Sequence, residues 1–291
     1  GERAPRYALA HGGLADTCVV LGLLGEMPPK DAWRRAADSA QEALARDASV
    51  AEAHVALAYA RLFADWDWAE AERHLRLAVD LDPRSAATHL WFALFLGMRG
   101  QLGQALAEVM AARAIDPLSL TISTAVGYQF YLLSRSDEQL AQHRHTLELE
   151  PDFALGHWAL ALAHAQRGQF REAIAAQEKT CELMAGSLLM RSVLARYLAM
   201  AGETDRARAL LRELEAAAAN GANLSPYRLA AICSALGEAE RSWAYIERAC
   251  EQRDHWLVWI KVDPLMADLR ASPRFAELLS CVGLAAPRAH S

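Results

Sequence analysis

The sequence predicts an all-α solenoid built from paired helices. Three observations carry this. Pro83, Pro117 and Pro151 are spaced 34 residues apart, each after an acidic residue. The stretch Arg84 to Pro117 splits at Gly100 into two amphipathic segments, about Ala86 to Arg99 and about Leu102 to Ile115. A large apolar residue followed by a small one recurs at the same place in every unit. Glycine supplies the turn conformation that other residues resist. Proline cannot continue a helix, because it lacks the N–H and clashes with the preceding turn. A fixed period of this length marks a repeat in which each unit buries its apolar face on the next.

Taken in order, units begin near Ala8, Ala51, Ala86, Leu120, Ala154, Leu188 and Asn223. Residues 1–7, with Pro5-Arg6-Tyr7, read as the end of a preceding repeat, so the chain is expected to begin inside a longer array. The large–small pairs are Leu14-Ala15, Leu57-Ala58, Phe92-Ala93, Val126-Gly127, Leu160-Ala161, Leu194-Ala195 and Leu229-Ala230. In the second helices a small residue recurs at Ala36, Ala71, Ala105, Ala173, Ala207 and Ser242, with Gln139 the exception. Small residues there let paired helices approach to about 8–10 Å. Gly22, Gly100, Gly168, Gly202 and Gly237 fill the turn place, with Asp65 and Ser134 in the other two units.

The departures from the repeat are specific. The first unit holds an insertion, Leu23 to Asp31, whose Met27-Pro28-Pro29 stops a helix and stiffens a loop. It is read as a surface insertion, with a partner-specific knob as the alternative. The second unit has one extra residue at Asp65-Trp66-Asp67-Trp68, an inter-helix turn expected to pack one indole and leave the other partly exposed. Ala185-Gly186-Ser187 replaces a closing proline, and Gly221 ends a later helix. Ser225-Pro226 gives an N-cap and a first-turn proline for the last pair, which ends about Gln252. From His255 the rhythm breaks. Asp263-Pro264 and Ser272-Pro273 start short helices. Trp256, Trp259, Leu265, Leu269, Phe275 and Leu278 read as a plug over the open end of the stack, as solenoids require. The expected organisation is an array over 8–256, capping helices over 257–284 and a flexible tail over 285–291.

The spacing, the large–small pair, the turn glycine, the second-helix alanine and the closing proline together resemble the tetratricopeptide repeat. The resemblance covers nearly the whole chain. It implies a right-handed α–α superhelix of about seven helix pairs with a C-terminal helical cap. The runs WLVWIKVDPLMADLRASPRFAELL, DWDW, HLWFALFLGMRG and IDPLSL resemble the C-terminal tetratricopeptide modules of bacterial signalling and transcription regulators. Those modules follow winged-helix, nucleotide cyclase or serine/threonine kinase domains, which implies a regulatory output elsewhere in the full protein.

Composition argues against several classes. The net charge of −6 gives no sign of a nucleic-acid-binding surface. No apolar stretch reaches the roughly 18–20 residues of a membrane span. The cysteines Cys18, Cys181, Cys233, Cys250 and Cys281 are scattered and form no C-x-x-C, so they read as buried free thiols in a reducing compartment. No metal-ligand spacing, phosphate loop or nucleophile motif is present. His143 and His145 are two apart and diverge on a helix, and His157 with His164 gives only a weak metal pair. His11, His54, His89 and His157 recur near the starts of first helices, and are read as imidazoles packed at helix junctions. A pH-sensitive stack is the alternative.

The family's binding groove is the concave face. Carried across unit by unit, its places fall on Tyr59, Leu62 and Phe63, on Leu94 and Met98, and on Tyr128 and Tyr131. They continue at Trp158 and Leu162, at Arg196 and at Tyr227. Tyr59, Phe63, Tyr128, Tyr131 and Trp158 are expected to form one apolar strip. Arg196 is the one basic residue placed in the groove, so capture of a C-terminal carboxylate by a Lys/Asn/Arg cluster is not expected. The function read from the sequence is a non-catalytic, cytoplasmic protein-interaction module that binds a protein or peptide segment. No cofactor, metal, membrane or direct nucleic-acid partner is expected. Self-association, a missing N-terminal effector domain as partner, and a small-ligand sensor are the alternatives.

Overall fold

The computed structural model describes residues 3–285, and the regular elements among them are helices, with no strand. Fourteen helices form seven pairs. These are α1 (Arg3–Leu24) with α2 (Pro29–Arg46), α3 (Ala51–Asp65) with α4 (Trp68–Leu81), and α5 (Ala86–Arg99) with α6 (Leu102–Ile115). Next come α7 (Leu120–Leu132) with α8 (Ser136–Leu149) and α9 (Ala154–Gln166) with α10 (Phe170–Leu183). The last are α11 (Leu188–Met200) with α12 (Thr204–Ala219) and α13 (Pro226–Ala235) with α14 (Ala239–Gln252). Each second helix also packs on the next first helix, so the pairs form one continuous stack.

Local chemistry sets the helix ends. Ser85, Ser119, Ser187 and Ser225 each cap a first helix by accepting a hydrogen bond from the backbone N–H three residues on. At Gly100 the chain turns with φ 79°, and Gln101 N–H reaches back to Leu96 O at 2.9 Å. Ala36, Ala71, Ala105, Ala173, Ala207 and Ser242 are all fully buried between paired helices. The Ser242 hydroxyl donates to Ala230 O at 2.9 Å, joining the two small residues of the last pair. In the fourth pair Gly127 takes the small place because its partner is large. A Cβ there would lie 2.2 Å from the buried His143 ring.

Four details differ from the sequence expectation. Helix α1 runs unbroken from Arg3, so Pro5-Arg6-Tyr7 lies inside it rather than ahead of a unit beginning near Ala8. Gly22 is not the first turn. It sits within α1, where a Cβ would come 2.6 Å from the Trp33 ring, and Gly25, φ 78°, makes the turn. In the second unit Trp66, φ 54°, takes the turn instead of Asp65. Leu14, expected in the core, is 52% exposed, since α1 stands at one end of the stack. Residues 1–2 and 286–291, parts of the expected preceding repeat and tail, lie outside the described residues.

The stack curves until its ends meet. The Asn223 side-chain amide, before α13, donates to Met27 O at 3.2 Å in the α1–α2 loop. The C-terminal segment then turns inward. Two short 3-10 helices, His255–Trp259 and Pro264–Met266, precede α15 (Ala267–Arg270) and α16 (Phe275–Cys281). Leu257, Val258, Ile260 and Val282 are fully buried. The segment covers α14, where Arg274 lies 4.7 Å over the Trp243 ring, but it reaches much further. His255 packs 5.2 Å from Trp33 and 5.6 Å from Phe63. Val262 lies beside Gly100, and Arg196 Nη2 donates to Leu265 O at 2.6 Å. The Asp-Trp turn holds both ends of it: Trp68 Nε1 donates to Val282 O at 2.7 Å near the far end, and Arg253, just before the segment, donates to Asp65 O at 3.0 Å. Trp68 is buried and Trp66 half-buried, as the alternating sequence implied.

Candidate binding chamber

First helices carry their outward-turned rings to the inside of the curve, and the C-terminal segment crosses in front of them. A chamber of about 350 Å³ remains between the two. Ten of the eleven groove residues expected from the sequence line it: Tyr59, Phe63, Leu94, Met98, Tyr128, Tyr131, Trp158, Leu162, Arg196 and Tyr227. Leu62 does not; it is fully buried in the helix core. The expected strip is two clusters. Tyr59 packs on Phe63 at 5.3 Å and on Trp91 at 4.7 Å. Tyr128 packs on Tyr131 at 5.6 Å and on Trp158 at 6.2 Å. Most of these rings are turned to structural use. Tyr59, Phe63, Tyr131 and Tyr227 are each at most 2% exposed, whereas Leu94, Tyr128 and Trp158 are only half-buried. Trp259 of the C-terminal segment meets Tyr128 edge-on at 5.2 Å.

The polar end of the chamber is a buried knot. Asp263 lies 3.6 Å from Arg196 and accepts hydrogen bonds from the Tyr131 hydroxyl, the Tyr227 hydroxyl at 3.4 Å and Leu265 N–H at 3.0 Å. Burial, with Asp263 beside it, pushes the Tyr131 phenol well above its ordinary value, so it stays a donor. Arg196 is therefore engaged by the chain itself and is not free for a partner's carboxylate.

Arg228 also lines the chamber, so Arg196 is not the only basic residue of the groove. Its guanidinium lies 3.8 Å over the Trp256 ring, and burial lowers its pKa. Its place directly after Tyr227 gave no signal, because family groove places skip that position. Trp91, Trp256, Trp259 and Asp263 were missed for a different reason: three of them come from a segment read as an end cap. Outside the chamber, at the seam where the stack meets itself, lies a second cleft of about 770 Å³. The two spaces share Leu23, Leu24, Leu189, Arg228 and Trp256.

The recurring histidines are structural ties. His54, His89 and His157 each donate through Nε2 to the carbonyl six residues earlier: Ala48 at 3.0 Å, Pro83 at 3.1 Å and Pro151 at 2.7 Å. With Nε2–H of His54 committed, His54 Nδ1 accepts from His74 Nδ1 at 2.8 Å, and His74 Nε2 accepts from Arg73 at 3.0 Å. His74 Nε2 also lies 3.2 Å from Glu70 Oε1, and burial, the largest cause, lowers the pKa of both rings. Burial also pushes His143 and His255 down to about 4. A histidine whose pKa is depressed on folding contributes stability that is complete above its unfolded value near 6.5 and is lost as the pH falls towards the folded value. The unfolding free energy from urea titrations is therefore expected to fall between pH 7.5 and 5.5, by up to about 1.4 kcal/mol per pH unit for each such ring, and the midpoint with it. An unchanged midpoint would mean that these rings are protonated equally in both states.

No group of three or more His, Cys, Asp or Glu among the described residues could hold a metal ion. Among those residues no helix is long and apolar enough to cross a membrane. Cys18 and Cys233 are buried and Cys181 and Cys250 half-buried, but Cys281 is exposed, against expectation.

No protein-family model matches the sequence, and no functionally curated protein matches it. Many solved structures do. A thermophilic tetratricopeptide protein of Thermus thermophilus, TTC0263, superposes with a TM-score of 0.54 at 22% identity, over 63% of this chain and 98% of its own. The Cut9–Hcn1 hetero-tetramer of the APC/C gives 0.61 at 15% identity, over 95% of this chain and 48% of its own. Human IFIT1, as a dimer with m7Gppp-AAAA, gives 0.60 at 17% identity, over 87% and 63%. At these identities the likeness concerns architecture, and with the repeat chemistry above it shows that the chain has the fold of a tetratricopeptide-repeat protein.

Proposed function

We propose that this region is a non-catalytic interaction module of a bacterial signalling or transcription-regulating protein, and that its binding place is the concave chamber. One observation carries the reading: ten residues placed in the groove by the repeat register line a single space. Aromatic and aliphatic walls with a few polar groups at one end suit recognition rather than bond-breaking. The C-terminal segment fills the rest of the concave side, so the chamber has room for a few side chains of a partner segment or for a compound of similar size, not for a whole helix. Binding there bears on the first helices and on the C-terminal segment at once, which gives a regulator two elements to move.

A photo-crosslinking residue placed at Leu94, in the chamber, tests this against the same residue at Met110, 37% exposed on a second helix. A discrete adduct in cells from position 94 and none from position 110 is expected. Identical adducts from both positions, or none from position 94, would remove the chamber as the binding place.

A further inference from the structure

The chamber is apolar along most of its length, and its two cations sit at one end. Arg196 is spoken for by Asp263 and Leu265 O. Arg228 is not. A guanidinium carries five N–H donors. Among the described residues that of Arg228 forms no ion pair and no side-chain hydrogen bond, and its Nε is buried without a partner. Trp256 lies face-on beneath it at 3.8 Å, which holds the group in place but offers no acceptor.

The nearby carboxylates are already committed. Asp254 accepts from the Ser225 hydroxyl, from Tyr227 N–H at 3.1 Å and from Trp256 N–H at 3.0 Å. Asp263 serves Tyr131, Arg196 and Leu265. Buried donors in native proteins are nearly always satisfied, and the Nε of Arg228 is one that is not, while the half-buried residue lines the chamber. An oxyanion would supply what Arg228 lacks, because two carboxylate oxygens match two guanidinium N–H groups.

Position adds a direction. Arg228 and Trp256 border both the chamber and the outer cleft, so they stand at the doorway between them. A head group held at Arg228 sends the rest of a ligand inward, to the half-buried rings of Tyr128 and Trp158. A volume of about 350 Å³ falls at the lower end of the roughly 300–1,000 Å³ typical of small-ligand sites.

We propose that the chamber binds a small amphipathic carboxylate, its aryl or alkyl body among the rings and its oxyanion on Arg228. This rests on the reading of the chamber as the module's binding place and names the chemistry of what enters it.

The test uses two nearly isosteric probes, 1-naphthylacetate and 1-naphthylacetamide, titrated calorimetrically into the whole chain. The wild type should prefer the carboxylate by about tenfold or more, the scale of a charge-assisted hydrogen bond. Arg228→Met should bind both probes alike, and Arg228→Lys should keep part of the preference. Circular dichroism melts of the variants show whether they are folded, and the lysine variant decides if the methionine one is not. Equal binding of both probes by the wild type overturns the carboxylate assignment and leaves the chamber as an apolar site. A preference that survives Arg228→Met overturns the role of Arg228. No binding of either probe at millimolar concentration overturns the proposal, while the crosslinking result at Leu94 judges the chamber separately.

Discussion

Cutting the chain after Arg253 is expected to abolish cooperative folding, not merely to fray one end. The removed segment contributes Leu257, Val258, Ile260 and Val282, all at 0% exposure, and Met266, Leu269 and Leu278, none above 4%. Fully burying a side chain of this size stabilises a fold by about 1.5–3 kcal/mol. Even half the resulting sum rivals the roughly 5–15 kcal/mol by which a typical domain is stable. The cut also strips partners from the remaining chain. Trp68 Nε1 loses Val282 O, Arg196 loses both Asp263 and Leu265 O, and Trp33 and Phe63 lose the ring of His255. A segment that only covered the last helix pair would leave the first pairs intact. Because this one touches α2, α3, α4, α7, α11 and α14, the damage should spread through the stack. Size-exclusion chromatography and thermal melts of the truncated chain provide the check. A monomer with an unchanged, single sharp transition would show that the segment is an accessory to the core.

The same geometry explains what could be read from the sequence and what could not. Helix positions and pairings were legible because each repeat makes its own local decisions: a serine cap, a turn at φ near 80°, an alanine where two helices touch. These need only neighbours in sequence. Groove residues were legible for the same reason, since register within a helix decides which side chains face the inside of the curve. What no local pattern announces is that the curve closes within seven pairs. Once it does, the insertion at Met27-Pro28-Pro29, the Asp-Trp turn and the arrhythmic C-terminus come together. They read as three separate irregularities in the sequence and as one closing device in the structure. Asn223 meets the first loop, Trp68 grips the C-terminal segment, Asp65 holds Arg253 at its start, and that segment lies across rings that the repeat pattern alone would leave open. Gly22 shows the limit in miniature. A glycine one turn from a helix end reads as a stop signal, but this one is required by the ring of Trp33 on the neighbouring helix, which the register of a single helix does not reveal.

Asp263→Ala is expected to destabilise the protein by about 3–5 kcal/mol, the cost of stranding one partner of a buried ion pair. Asp263 is the single carboxylate in the knot that joins the C-terminal segment to α7, α11 and α13. Without it Arg196, 8% exposed, keeps only the Leu265 carbonyl and the Met266 sulfur as acceptors. The phenol of Tyr131, 1% exposed, loses its acceptor and cannot ionise to compensate, because burial holds its pKa far above neutrality. Asp263→Asn keeps an acceptor for Tyr131 but not the charge, so it should fall between wild type and the alanine variant. The double variant Arg196→Met with Asp263→Ala separates the two costs. If the main penalty is an uncompensated charge, removing the guanidinium should recover a large part of the loss, and the double variant should be more stable than Asp263→Ala alone. Urea unfolding of wild type, Asp263→Ala, Arg196→Met and the double variant at one pH closes the cycle. A loss below about 1 kcal/mol for Asp263→Ala, the size of an exposed pair, would mean that water reaches the knot. The C-terminal segment would then be held in the superhelix by its apolar side chains alone.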